Sequence, residues 1–338
     1  MADKKNRILD TTAKKALAAA IATPAALFGA VTAVNHLAYR RSNIAAASEV
    51  YNRVTGNKKK MADAVEWDNL ILDRSEANEQ RQTLPTLLSF KVSVEDTDFD
   101  GMQTLVLNRR SINDRAVIYV HGRVLVDQPS IYQWKFLDTI ARRTRAEVIA
   151  PIYPLAPVHG FREAYDKIEA LYLETVKKYG AQNVTLMGDS AGAGIAAGLC
   201  QSFSPKGIEQ PGHLILISPW VDLTLGNPDI AHYEAQDPML SASGMRKVGK
   251  VWADGTDPRD PRLSPINGPV SDLRNVMVFT GTREILHPDA VLFHQRVSAY
   301  GNHSELFVGT GLHNNFPLYP IPEASGTINS IVTAITMD

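Results

Sequence analysis

The stretch that most constrains the fold is residues 184–197, where an apolar, β-branched run meets a tight turn and a helix-forming run. Gly188 lies at the end of the apolar run, Ser190 stands at the turn, and small residues follow from Ala191. This order predicts a strand, a sharp turn and a helix. Gly188 and Gly192 are both required by such a turn, because a Cβ at either position would collide with the neighbouring strand or helix.

From residue 116 onward, short apolar segments alternate with longer helical patterns. This alternation predicts a mostly parallel sheet with helices on both faces, which is the α/β class. Upstream, residues 88–94 and 102–108 alternate as strands and are joined by the acidic turn 95–101, so they predict an antiparallel hairpin. The predicted parallel strands are 116–120, 147–150, 184–187, 213–217, 275–279 and 304–308.

Three reactive side chains follow strands of this predicted sheet. Ser190 follows the third parallel strand, Glu284 comes just after the fifth, and His313 follows the sixth. Because parallel strands end at one edge of the sheet, the chemistry of such folds collects there. A nucleophile, an acid and a base therefore arrive in the order Ser, Glu, His, which is the chain order of an α/β-hydrolase triad.

Several separated segments together resemble the hormone-sensitive-lipase-like (type IV) branch of the α/β-hydrolases, which includes bacterial esterases. The resemblance covers the chain from about residue 88 to the end, and part of 40–86 looks like the N-terminal cap of that family. The segments that carry it are His121-Gly122, 153–159 (YPLAPVH), 188–192 (GDSAG), 218–224 (SPWVDLT), 237–240 (DPML), 281–286 (GTREIL) and His313 before Phe316-Pro317.

The resemblance implies an α/β-hydrolase fold with a small helical cap, and a carboxylesterase activity on small to medium acyl esters. Ser190 would be the nucleophile, His313 the general base, and Glu284 the acid that orients the imidazole. Asp289 is the alternative acid, and Glu284 is preferred because it lies closer to the end of the strand. The resemblance implies no cofactor and a small-molecule ester as the substrate.

One segment departs from the family pattern. The oxyanion loop of the family reads His-Gly-Gly followed by Gly or Ala, whereas this chain reads His121-Gly122-Arg123-Val124. The hole would be formed by Gly122, Arg123, Val124 and the N–H of Ala191. If position 123 needs a glycine-like φ, a side chain there costs on the order of 1–2 kcal/mol. The alternative function is therefore a catalytically degenerate hydrolase that acts as a binding module. A third hypothesis keeps the chemistry and changes the bond to an amide or lactone.

Residues 1–39 form a basic and apolar segment ahead of the main domain, 40–338. The segment 16–34 carries no charge and is long enough to cross a bilayer. It predicts an N-terminal apolar helix that anchors the protein to a membrane. A cleaved signal of a secreted protein and a packing helix of a cytoplasmic protein are the alternatives.

Charge and cysteine content exclude several classes of partner and site. The chain has 338 residues with 35 basic and 36 acidic side chains, so no nucleic-acid partner is indicated. The single cysteine, Cys200, excludes an intrachain disulfide, and no Cys/His spacing resembles a metal site. A cap is expected from 40–86 and 221–262, and the oligomeric state is left open.

Overall fold

The computed structural model describes residues 24–56, 58–109 and 113–337. The strands are β1 (Val94–Phe99), β2 (Met102–Leu107), β3 (Ala116–Val120), β4 (Glu147–Pro151), β5 (Val184–Asp189), β6 (His213–Ile217), β7 (Val276–Gly281) and β8 (Ser304–Gly309). They form one sheet in the order β1-β2-β4-β3-β5-β6-β7-β8. β1 and β2 pair antiparallel, β2 pairs antiparallel with β4, and the strands from β4 to β8 run parallel.

Helices lie on both faces of this sheet. They are α1 (Pro24–Ala33), α2 (Asn43–Thr55), α3 (Lys58–Ala62), α4 (Ala64–Asn78), α5 (Ile131–Thr144), α6 (Phe161–Tyr179), α7 (Ala191–Phe203), α8 (Ile230–Glu234), α9 (Ala242–Ala253), α10 (His287–Ala299) and α11 (Ala324–Thr336). Side chains of β3 alternate between two apolar clusters: Ile118 belongs to the one that includes α6, α7 and α10, whereas Val117 and Tyr119 belong to the one that includes α5 and α11. Successive residues of a strand point to opposite faces, so the sheet is buried on both sides. The predicted α/β class, with a mostly parallel sheet and helices on both faces, is confirmed.

All six predicted parallel strands are present, and the antiparallel hairpin forms with its second strand as predicted, but its first strand is displaced. β1 begins at Val94, where the predicted strand ends, and the turn is Asp100-Gly101. Residues 88–93 fail to form a strand because α5 supplies their hydrogen-bond acceptor. The N–H groups of Lys91 and Val92 donate to one carboxylate oxygen of Asp138, over 2.7 and 3.2 Å.

The N-terminal helical region is shorter than expected and contacts the second predicted cap segment. The amphipathic but largely polar sequence of residues 40–86 predicts helices that end near Pro85, whereas α4 ends at Asn78. The indole of Trp67 donates to the carbonyl of Gly244 over 3.0 Å, and the ammonium of Lys58 donates to the carbonyl of Asp237 over 2.6 Å. Segments 40–78 and 221–262 therefore contact one another.

The predicted apolar N-terminal helix over 16–34 falls partly on residues that the structure does not describe. Residues 16–23 lie outside the described residues, 24–33 form α1, and Val34–Ala38 form a turn of π-helix. Among the residues that the structure describes, no helix has both the length and the apolar character needed to cross a membrane.

Candidate active site

Ser190 stands at a strained turn between β5 and α7. Its backbone has φ 50° and ψ −117°, a region that non-glycine residues rarely occupy, and the residue is 3% exposed. A Cβ at Gly188 would lie 2.6 Å from the carbonyl carbon of Gly192, and a Cβ at Gly192 would overlap the carbonyl oxygen of Val120. Both glycines are therefore fixed by close backbone approach, as the sequence predicts.

Asp189, the residue before the predicted nucleophile, connects three loops of the candidate site. One carboxylate oxygen accepts hydrogen bonds from Tyr119 (2.5 Å) and from the N–H of Gly122 (2.9 Å). The other oxygen accepts from the side chain of Asn315 over 2.7 Å. Burial raises the pKa of Asp189, although the hydrogen bonds from Tyr119 and Gly122 oppose the rise. The sequence reasoning missed this residue, and its only signal was its place inside the motif at residues 188–192.

The predicted oxyanion loop has a left-handed backbone, which is costly for residues other than glycine. Arg123, Val124 and Leu125 have φ values of 78°, 57° and 64°, in the left-handed region that favours glycine. The N–H groups of Arg123 and Val124, like that of Ala191, donate to no other described group. The expected set of oxyanion donors is corrected at Gly122, because its N–H already donates to the carboxylate of Asp189.

The side chain of Arg123 is turned toward the cap segment. Its guanidinium pairs with Asp127 over 2.9 Å, and Asp127 also pairs with Arg74 of α4 over 2.6 Å. The loop that departs from the family pattern is thus tied to the N-terminal helices.

Glu284 is completely buried just beyond β7. Its carboxylate accepts hydrogen bonds from Thr280 over 2.5 Å, from the N–H of Gly281 over 3.2 Å and from Ser218 over 2.8 Å. Burial raises its pKa to about 7, since these neutral donors compensate only part of the desolvation. The oxygen of Ser218 also accepts the N–H of Asn315 over 2.9 Å, so Ser218 links Glu284 to the loop that carries His313.

Asp289, the alternative acid, lies in the first turn of α10. One of its oxygens accepts from Asn227 over 2.8 Å, and the other has no hydrogen-bond partner. Burial raises its pKa to about 6.

His313 is 1% exposed, and its imidazole faces helix α2. Nδ1 lies 2.9 Å from the carbonyl of Asn314, and Nε2 lies 3.0 Å from the hydroxyl of Ser48 and 3.5 Å from the amide nitrogen of Asn52. Because a carbonyl only accepts, Nδ1 carries the proton and Nε2 is the acceptor. Burial lowers the pKa of His313, which favours the neutral form that a general base needs.

The three predicted catalytic residues reach the same edge of the sheet but are not hydrogen-bonded to one another. Among the described side chains, His313 is hydrogen-bonded to none of Ser190, Glu284 and Asp289. Ser48 and Asn52 could not be recognised from the sequence, since polar residues on a helix are ordinarily solvated.

A small apolar cavity lies behind Ala191. Its volume is about 10 Å³, room for about one water-sized group. It is lined by Leu125, Tyr165, Ala191, Gly194, Ile195, Trp220, Leu223, Trp252, Arg262 and Leu263. Across the described ranges, no group of three or more His, Cys, Asp or Glu residues is placed to hold a metal ion.

Comparisons with known proteins agree with this architecture. Residues 117–318 match a family model described as alpha/beta hydrolase fold. An esterase of Acinetobacter venetianus is 29% identical over 252 residues, which are 72% of this chain and 82% of that protein.

Two solved structures are similar to this chain. The structure of a candidate esterase from Staphylococcus aureus is 34% identical, has a TM-score of 0.79, and covers 82% of this chain and 94% of its own. That of a hormone-sensitive lipase from a metagenome library is 22% identical with a TM-score of 0.69, covering 80% and 97%, and shows the shared fold.

Proposed function

Because the chain belongs to the α/β-hydrolase fold family, in its hormone-sensitive-lipase-like branch, we propose that it is a carboxylic-ester hydrolase that forms an acyl-enzyme on Ser190. The observation that carries the proposal is the strained turn at Ser190. Such strain persists at functional sites, where it presents a side chain in a fixed place. The relatives named as esterases support the same class of reaction.

In the proposed reaction, the oxygen of Ser190 attacks the ester carbonyl carbon while its proton passes to Nε2 of His313. The N–H groups of Ala191, Arg123 and Val124 stabilise the negative charge on the tetrahedral oxygen. The proton on His313 then goes to the departing alcohol, and the C–O bond breaks to leave the acyl-enzyme. Water attacks the acyl group by the same route in reverse, which returns Ser190 to its starting state.

Glu284 is the acid that we propose to orient the imidazole and stabilise its cation. Ser218 already connects its carboxylate to the backbone of the loop 313–315. His313 reaches this arrangement by rotating away from Ser48, so that Nδ1 exchanges the carbonyl of Asn314 for the carboxylate.

Ala191, next to Ser190, and Leu125, next to the predicted oxyanion donors, line the small cavity, and on this basis we propose that it holds the acyl group. A volume of about 10 Å³ admits an acetyl methyl and excludes a long alkyl chain unless the wall moves. We therefore propose acetyl and similarly short acyl esters as substrates.

A fluorophosphonate probe tests this function without knowledge of the natural substrate. We expect covalent labelling at Ser190, mapped by mass spectrometry, and hydrolysis of p-nitrophenyl acetate that Ser190→Ala abolishes. If the purified protein is neither labelled nor able to hydrolyse short p-nitrophenyl esters, the esterase proposal is wrong.

The binding-only alternative has support from one feature, the three consecutive left-handed residues of the oxyanion loop. The comparisons do not favour it, because the relatives are named for hydrolysis. Failure of the label would leave it as the better explanation.

Membrane association through residues 16–34 stays a prediction of the sequence. Separating labelled cells into membrane and soluble fractions tests it, and label confined to the soluble fraction would refute the anchor.

A further inference from the structure

Helix α2 places two donors on the one nitrogen of His313 that the proposed reaction needs. Ser48 and Asn52 are one helical turn apart, so they lie on the same face of α2. The hydroxyl of Ser48 donates to Nε2 over 3.0 Å, and the amide of Asn52 approaches the same nitrogen at 3.5 Å. The imidazole thus has the tautomer that a general base needs, but its Nε2 accepts a hydrogen bond from the hydroxyl of Ser48 and not from that of Ser190.

A buried charge network fixes α2 against the loop that carries His313. Glu49, 5% exposed, pairs with Arg41, with Arg53 over 2.9 Å and with Arg283, beyond β7, over 3.0 Å. Arg41 also donates to the carbonyl of Gly311 over 2.9 Å. Burial alone would raise the pKa of Glu49, yet the arginines hold it at about 2, so the carboxylate stays charged.

The contact between Ser48 and His313 therefore belongs to a docked helix and does not arise from a loose surface side chain. The ring of His313 is further enclosed by Tyr319, whose ring stands perpendicular to it with centroids 4.6 Å apart. Three sides of the imidazole are set by α2, by the carbonyl of Asn314 and by Tyr319.

We propose that Ser48 and Asn52 are positioning residues that hold His313 in a resting orientation, from which it must turn before it can accept the proton of Ser190. The inference rests on the proposed esterase function. A hydrogen bond of ordinary strength biases a two-state equilibrium about five-fold, so its loss raises the population of the productive orientation by about that factor.

The test compares the rate of fluorophosphonate labelling in full-length variants. We expect Ser48→Ala to react about five-fold faster than wild type, because the resting orientation loses its main donor. Ser48→Thr keeps a hydroxyl and should react at nearly the wild-type rate. Ser75→Ala is the matched control, since Ser75 is half-buried on α4 and its hydroxyl bonds only the carbonyl of Leu72 in the same helix.

A nitrogen NMR measurement reports the contact independently of activity. In protein labelled with ¹⁵N-histidine, His313 should be the Nδ1–H tautomer, and Ser48→Ala should shift its Nε2 resonance while Ser75→Ala leaves it in place. His313→Gln identifies the resonance by its disappearance.

The outcomes separate this inference from the function on which it rests. If the wild type is labelled and Ser48→Ala is labelled at the same rate or more slowly, the inference alone is overturned. An Nε2 resonance of His313 that does not shift in Ser48→Ala overturns it as well. Label attached to Ser48 overturns its positioning role. Absence of labelling in every variant overturns the esterase proposal and the resting orientation with it, and an Nε2 shift would then mark a purely structural contact.

Discussion

Replacing Glu284 by Gln should stabilise the protein at alkaline pH while it removes activity. Burial raises the pKa of Glu284 from 4.5 to about 7, so between these pH values the folded protein binds more protons than the unfolded chain. Stability therefore falls as the pH rises through this window. A shift of this size corresponds to about 3 kcal/mol at pH 8.5, where both states of the wild type are ionised.

The glutamine removes this penalty but disturbs one hydrogen bond. In the wild type Ser218 donates to a carboxylate oxygen of Glu284. An amide nitrogen in place of that oxygen would lose this hydrogen bond, which lowers the stability of the folded protein by about 1 kcal/mol. The expected net effect is a gain of about 2 kcal/mol at pH 8.5 and a loss of about 1 kcal/mol near pH 4.5, where the wild-type carboxyl is protonated when folded. Urea unfolding at the two pH values measures both.

Activity supplies the second half of this prediction. If Glu284 orients the imidazole, Glu284→Gln should lower the hydrolysis of p-nitrophenyl acetate at least about a hundredfold. Asp289→Asn is the control, because burial raises that pKa to about 6 while its contact is with Asn227. A difference in stability between Glu284→Gln and wild type that is the same at both pH values would refute the electrostatic argument. An active Glu284→Gln beside an inactive Asp289→Asn would reassign the acid.

Three other substitutions test separate parts of the site. Arg123→Gly should change the esterase rate less than about threefold, because its side chain faces Asp127 and only its N–H is needed; a hundredfold gain would favour the degenerate alternative. Gly192→Ala should destabilise the protein by about 3 kcal/mol in thermal unfolding, because the added Cβ would collide with backbone atoms. Gly326→Ala, on α11 with open space around it, should be neutral or stabilising. Equal effects of the two substitutions would contradict the steric argument. Leu223→Ala should widen the small cavity and raise the rate with p-nitrophenyl butyrate relative to acetate, and an unchanged ratio would show that this cavity does not hold the acyl group.

The sequence predicted those parts of the fold that depend on local pattern. Strand–helix alternation located all six parallel strands, since buried parallel strands are short, continuous apolar runs. The first strand of the hairpin was misplaced because Asp138, far along the chain, supplies an acceptor that no local pattern reveals.

The strain in the oxyanion loop was also predictable, because it follows from composition. A left-handed backbone costs free energy at Arg123 and Val124 whichever contacts surround the loop, and both residues have positive φ. The orientation of His313 was not predictable, because it is set by Ser48 and Asn52, more than 250 positions away in the chain. Hydrophobic periodicity predicts that a segment is helical, but it does not show which residues the polar face of that helix contacts.

The dependence of the site on helix α2 has a practical consequence for recombinant versions of this protein. The region that defines the family begins at residue 117, so a shortened gene designed around it would keep every recognisable motif. It would also remove Glu49 and leave Arg283 without the carboxylate that neutralises it. Leu312 and Phe316, which pack with Ala45, would lose part of their apolar cover. A trimmed product that precipitates, or that shows altered turnover, would report on the missing helix rather than on the chemistry of the remainder.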